Sequence, residues 1–229
     1  MTLYKSLIRP LLFQCDPEWI HHTTIQAGRI LGTSKPIRHI LSNKYHIQDP
    51  RLQTKVCGIP FQNPIGLAAG YDKSGEAIPF LESLGFGHIE IGSISASLSH
   101  GNPKPRLFRL PQDQAVIVHY GLQNEGAETI ANRLTHLQHK HPLGINIVKT
   151  NRGLHAPPDT EDDILTDYLT SVRLLKNKGN YLTLNLSCPN TEMGRDFFAD
   201  KEHIIRFLQA LANENIPCPV FLKVSPIYG

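Results

Sequence analysis

The sequence predicts an α/β fold of β-strand–helix repeats, on two observations. From residue 64 onward, short apolar runs alternate with helical patterns. Pro64–Ala68, His88–Ile94, Leu143–Val148, Tyr181–Leu186 and Pro219–Val224 read as strands. The stretch carrying Ala77, Ile78, Leu81 and Leu84, and residues 124–138, 161–178 and 200–215, read as helices. Such alternation argues for parallel βαβ units. Each strand also delivers a polar residue at or just past its C-terminal end: Lys73, Ser93, Asn146, Asn185 and Lys223. A doubly wound nucleotide-binding sheet would carry G-x-G-x-x-G after its first strand, and Gly66-x-x-x-Gly70 does not supply it. In a β/α (TIM) barrel the C-terminal strand ends converge on one mouth, where the site lies. The expected architecture is therefore an incomplete β/α barrel, about five of eight strands, preceded by a small helical region.

The element pattern divides the chain at about residue 45. Residues 1–45 read as an N-terminal helical region and residues 46–229 as the partial barrel. Leu3, Leu7, Ile8, Leu11 and Leu12 recur at helical spacing. Asp16-Pro17-Glu18 then offers a cap, a proline for the first helical position and a first-turn acid. Ile20, Thr23, Ala27, Ile30 and Leu31 continue one face, and Gly32 reads as the stop. Pro36, Pro50, Gly58 and Pro60 make residues 33–62 read as linker and short strands. Gly101–Pro111 and Ala115–Val118 read as an excursion over the barrel mouth. Residues 1–32 are expected to form amphipathic helices whose apolar face lies on a membrane surface.

Composition excludes several classes. The chain has 229 residues, 40% hydrophobic and 19% charged, with a net charge of +3 and no block of like charge, so no nucleic-acid partner is expected. The cysteines, Cys15, Cys57, Cys188 and Cys218, form no C-x-x-C pair, and the histidines lack metal-ligand spacing. A reducing compartment and no structural metal follow. No run approaches the roughly 18 apolar residues of a membrane span. Met1–Phe13 lacks the long apolar region and small-residue cleavage site of a secretory signal.

Four segments then become specific. Asn63-Pro64-Ile65-Gly66-Leu67-Ala68-Ala69-Gly70-Tyr71-Asp72-Lys73-Ser74-Gly75-Glu76 resembles the N-P-x-G-x-A-A-G-x-D-K-x-G-E signature of dihydroorotate dehydrogenases. Gly85–Ser93, Gly101–Pro111 and Leu184-Asn185-Leu186-Ser187-Cys188-Pro189-Asn190-Thr191 are similar to three further segments of that family. The N-terminal helices resemble its membrane-associated, quinone-using class. The resemblance implies a flavin enzyme of pyrimidine (UMP) biosynthesis, oxidising (S)-dihydroorotate to orotate. The implied partners are FMN as cofactor, a quinone as acceptor and a membrane surface; the implied location is peripheral, on the cytoplasmic face of the inner membrane in a bacterium.

It also implies site residues. FMN would be held by Ala69, Gly70, Tyr71, Asp72, Lys73, Ser93, Asn146, Asn185 and Lys223. Substrate would meet Lys73, Gly121, Leu122, Asn185 and Asn190. Cys188 would be the catalytic base. The residue types suit these roles. Ala69 and Gly70 let backbone approach a flat ring. Lys73 places a fixed positive charge near a carboxylate or a reduced flavin. Side-chain amides match the imide-like edges of a flavin or pyrimidine. A thiol has an ordinary pKa near 8.5, far below that of a hydroxyl, so Cys is a chemically competent base. The family's membrane class has Ser at this position and its soluble class Cys.

Departures from the family pattern suggest another FMN-barrel oxidoreductase acting on a related ring. Val118 stands where the family has a substrate-binding Asn, and His119 where it has Arg. Val148 is bulkier than the family Gly, and Glu192-Met193-Gly194-Arg195 replaces a P-G-x-R sequence. With about five strands before Gly229, the phosphate-binding loops after strands seven and eight are missing. The expectation is a truncated chain that binds FMN weakly and turns nothing over, or an inactive remnant serving as a membrane-bound module.

Overall fold

The computed structural model describes residues 3–153, 155–187, 198 and 200–224. The chain enters through a wide helical turn over Tyr4–Ile8 that runs into α1 (Arg9–Phe13). Helix α2 (Pro17–Thr33) starts as the sequence indicates: the Asp16 carboxylate accepts from the Trp19 N–H at 2.7 Å, and Pro17 occupies the first position. Gly32 does not stop it. Instead Gly28 and Gly32 bring α2 against Phe80 of α4 (Ile78–Glu82); a Cβ at Gly32 would lie 3.1 Å from the Phe80 backbone nitrogen. A further helix, α3 (Lys35–Tyr45), corrects the reading of residues 33–62 as linker and strands. Pro36 sits in its first turn, where a missing N–H costs no hydrogen bond, so that proline marks a start and not a break.

Strands β1 (Thr54–Val56) and β2 (Ile59–Phe61) form an antiparallel hairpin. The repeats follow: β3 (Gly66–Leu67), α4, β4 (His88–Ile94), then a second antiparallel pair, β5 (Leu107–Leu110) with β6 (Ala115–Val118). Next come α5 (Ala127–Thr135), β7 (Leu143–Ile147), α6 (Glu161–Leu175), β8 (Tyr181–Asn185), α7 (Lys201–Ala212) and β9 (Val220–Lys223). Among the described residues one five-stranded sheet, order β3-β4-β7-β8-β9, is parallel throughout. It is an open arc of strands and helices, as expected of an incomplete barrel.

The sheet separates two chemistries by strand alternation. Ile89 and Ile91, then Leu143, Ile145 and Ile147, then Leu182 and Leu184 are fully or nearly fully buried. They share one apolar core with Ile130, Ile164, Val172, Leu175 and Phe207 of the covering helices. The alternate residues, Glu90, Asn146, Thr183 and Asn185, occupy the other face. A register shift between Ile91 and Ile94 inserts an extra residue into β4 opposite β7. That bulge lets Ile94 rejoin the apolar side while the Ser93 hydroxyl reaches Asn146.

The contact between α2 and α4 is too close for a branched side chain. Gly32→Val should lower stability by about 1–3 kcal/mol through overpacking, read as a drop in Tm. Ile30→Val, on the 69% exposed face of the same helix, should stay within about 0.5 kcal/mol. Equal Tm values for the two variants would show that α2 does not pack on α4 in this way.

Candidate active site

At the C-terminal ends of β4, β7 and β8 the inner face carries a continuous polar chain. Ser187 donates to Asn185 Oδ1 through its N–H and hydroxyl, each at 3.3 Å. Asn185 Nδ2 donates to Ser93 Oγ at 3.3 Å, and Ser93 Oγ donates to Asn146 Oδ1 at 2.5 Å. Asn146 Nδ2 donates to Glu90 Oε1 at 2.8 Å, and Thr183 Oγ1 to Glu90 Oε2 at 3.0 Å. Asn146 is 0% and Asn185 7% exposed, so each amide satisfies its burial through this network. Lys223 is paired in register with Asn185, and its side chain is exposed at the same sheet edge.

Lys73 belongs to a neighbouring cavity of about 420 Å³ between α2 and the strand ends, lined among others by Trp19, His21, Tyr71 and Tyr120. Its ammonium donates to His21 Nε2 at 3.1 Å and lies 4.2 Å from the centroid of the Tyr120 ring. Burial pushes Lys73 down to about 8, and burial next to that ammonium pushes His21 down to about 4. At neutral pH His21 is therefore neutral and able to accept from the lysine. The Tyr120 hydroxyl is buried without a hydrogen-bond partner among the described residues, and its burial beside Glu18 raises it to about 12.

Arg106 holds this cavity's wall. It is 2% exposed. Its guanidinium donates to both Glu18 oxygens, to Gln123, and to the carbonyls of His100 and Asn102. Burial opposes ionisation of Glu18, but hydrogen bonds from Arg106 and Lys104 prevail and hold it below the usual carboxylate range. The pair ties the first turn of α2 to the segment leading into β5.

The other candidates fall around these two centres. Gly70 holds φ +110°, which a side chain would resist, and the space at its missing Cβ is open. Ala69 beside it is half-buried. The Tyr71 hydroxyl donates to Thr24 of α2 at 3.2 Å, and its ring meets His21 edge-on. Asp72 is buried and accepts from the N–H groups of Glu76 and Ala77; its carboxylate shapes the turn into α4. Burial raises its pKa despite those bonds. Gly121 and Leu122 both have positive φ, +68° and +61°, an uncommon conformation for a leucine. Val118 ends β6 and is 42% exposed. Cys188 and Asn190 lie outside the described residues.

The structure thus brings together Ser93, Asn146, Asn185 and Lys223, while Lys73 turns toward α2. Glu90, His21, Arg106 and Tyr120 join the site without having been expected from sequence. Glu90 had a readable signal: it is an acid in the middle of the apolar strand HIEIGSI, where only a partnered carboxylate is tolerated. Glu18 read as a first-turn acid, and nothing local announces its partner 88 residues away.

Removing Arg106 leaves Glu18 with Lys104 alone and takes a donor from the His100 and Asn102 carbonyls. Arg106→Ala should cost about 3–5 kcal/mol in a denaturation midpoint experiment. Because folding lowers the Glu18 pKa, its stabilisation is present above the ordinary glutamate range and is lost as pH falls through the folded-state value. Glu18→Gln should therefore flatten the acid limb of the stability profile; an unchanged limb would show that this ion pair does not contribute.

Comparison with known proteins places these features in a lineage. The family model described as dihydroorotate dehydrogenase matches residues 51–228. A dihydroorotate dehydrogenase (quinone) from Synechococcus sp. (strain JA-3-3Ab) is 40% identical over 99% of this chain and 60% of its own length. One from Acidithiobacillus ferrooxidans is 40% identical over 96% of this chain and 62% of its own. The crystal structure of DHODH from Eimeria tenella in complex with ferulenol superposes with a TM-score of 0.75 at 28% identity, covering 93% of this chain and 60% of that one. The chain spans about 60% of the length of the curated relatives it matches. By its sequence and its fold, it belongs to the dihydroorotate dehydrogenase family.

Proposed function

We propose that this protein oxidises (S)-dihydroorotate to orotate in pyrimidine synthesis, with FMN as its resident cofactor and a quinone as electron acceptor. The carrying observation is the buried amide–hydroxyl chain at the strand ends, on a sheet whose opposite face is aliphatic, within a chain of this family. Its donor set fits a flavin. Ser93, Asn185 and Lys223 offer donors and acceptors for the ring's nitrogen and oxygen edges, with the buried Asn146 orienting Ser93 from behind, and Gly70, next to the small Ala69, leaves backbone bare of side chain. FMN, when bound, supplies a two-electron acceptor for the hydride that leaves the substrate.

The protein's part is positioning and proton removal. Lys73 offers a positive charge to the substrate carboxylate; Gly121, Leu122, Asn185 and Asn190 complete the substrate's surroundings. Cys188, in the Ser187-Cys188-Pro189-Asn190 sequence, takes the proton that leaves with the hydride. Val118 favours a second reading, oxidation of a related ring, because it cannot form the hydrogen bond that the family Asn provides.

Residues 1–45 form the membrane and quinone region of this proposal, and residues 46–229 the flavin-binding unit. Leu3, Leu7, Leu11 and Trp19 are 57–68% exposed, which suits an interfacial helical region lying beside the α2 cavity. No helix among the described residues is long and apolar enough to cross a membrane.

The purified protein should bind FMN and reduce a soluble quinone in the presence of dihydroorotate; a flavin-bound protein active only on another ring would establish the second reading. Cys188→Ala should nearly abolish flavin reduction with FMN still bound, and Cys188→Ser should move the pH profile upward. Full activity in Cys188→Ala would send the proton elsewhere. Lys73 loses its charge as pH rises through about 8, so orotate affinity should fall there. Lys73→Arg should remove that dependence, and a pH-independent wild type would contradict the role of Lys73.

A further inference from the structure

Glu90 lies one layer beneath the proposed flavin site, and every hydrogen bond of the polar chain runs toward it. Three donors converge on its carboxylate: Asn146 Nδ2, Thr183 Oγ1 and the Tyr181 hydroxyl. Burial first, and the adjacent carboxylate second, raise Tyr181, so it stays a donor. An ionised carboxylate only accepts. It therefore allows one orientation of the Asn146 amide, with Nδ2 toward Glu90 and Oδ1 away from it. That oxygen then takes the Ser93 proton, which leaves Ser93 Oγ as the acceptor for Asn185 Nδ2. In this way a single charge propagates a direction through two amides and a hydroxyl, groups that could each be turned the other way by themselves.

We propose that Glu90 is a positioning residue that sets the donor and acceptor polarity of the flavin-binding surface. It touches neither substrate nor cofactor. It acts through the buried Asn146 on Ser93, and fixes whether the half-buried Ser93 hydroxyl donates or accepts on the side of the ring. The inference rests on the flavin reading above for its function, and on the hydrogen-bond geometry alone for the orientation. An amide at position 90 would keep the shape and lose the direction: its own NH₂ could donate to Asn146 Oδ1, the Asn146 side chain could invert, and Ser93 would be free to reverse.

The test is a double-mutant cycle on FMN affinity, measured by flavin fluorescence titration of the purified protein. Glu90→Gln should weaken FMN binding by about tenfold, a loss near 1.4 kcal/mol, and should shift the absorbance maximum of bound flavin. Ser93→Ala should weaken it too, and the double variant should bind no worse than Ser93→Ala alone, since Glu90 acts through Ser93. Additive losses would overturn the proposal. Thr183→Val removes one donor and keeps the charge, so it should bind within threefold of wild type; a tenfold loss there would also overturn it, and this arm stands if Glu90→Gln fails to fold. A flavin-free readout separates this inference from the functional one. In ¹⁵N spectra of the wild type, the Asn146 side-chain amide should be shifted and protected from solvent exchange. If FMN does not bind but that signature is present, the flavin reading fails and the orienting role of Glu90 stands. If FMN binds and the Asn146 amide exchanges freely, Glu90 does not orient it.

Discussion

Asn146 is completely buried in the strand LGINI, and an unpartnered amide there would cost about 1–3 kcal/mol. Its two halves are satisfied from opposite directions, by the Ser93 hydroxyl and the Glu90 carboxylate. This is possible only because β4, β7 and β8 are adjacent, parallel and in fixed register, so that alternate residues of all three meet on one face. The same register sends Ile89, Ile91, Ile145, Ile147, Leu182 and Leu184 into the apolar core. A slip of one residue in any of these strands would exchange the two sets. Hydrophobic burial on the helix side therefore specifies the register, and the register assembles the polar chain on the other side.

The site has a second wall that does not come from the sheet. Helix α2 is seated by its two glycines against Phe80 and by Glu18 against Arg106. Together they place His21 and Thr24 next to Lys73 and Tyr71. The resulting cavity is part apolar and part charged, and it separates the Lys73 ammonium from bulk water enough to lower its pKa. Two neighbouring environments result: a directional amide chain between strands, and a cavity of mixed charge around Lys73 beneath a helix with exposed apolar residues.

Much of this was legible in the sequence because it is local. The strand His88–Ile94 and the pair strand Ala115–Val118 were read to the residue, and the cap at Asp16-Pro17 was evident from residue types alone. The amides at strand ends stood out because Asn is disfavoured inside strands. What the sequence hid depends on partners far away or on a shift of register. Pro36 read as a breaker although it opens α3. The bulge near Gly92 and Ser93, which lets Ser93 meet Asn146, has only Gly92 inside the strand pattern as its trace, and a lone glycine does not say which strand it slips against. The Glu18–Arg106 pair joins residues 88 positions apart, and Lys73 turns to α2 because His21 and Tyr120 receive it there.

The most direct measurement of the central claim is a crystal structure of the protein loaded with FMN. The ring is expected over Ala69 and Gly70, with its polar edges within hydrogen-bond reach of Ser93, Asn185 and Lys223 and one face open toward Lys73. A flavin found elsewhere on the molecule, with the Ser93–Asn146–Glu90 chain unchanged and apart from it, would contradict the assignment of this polar face as the cofactor site.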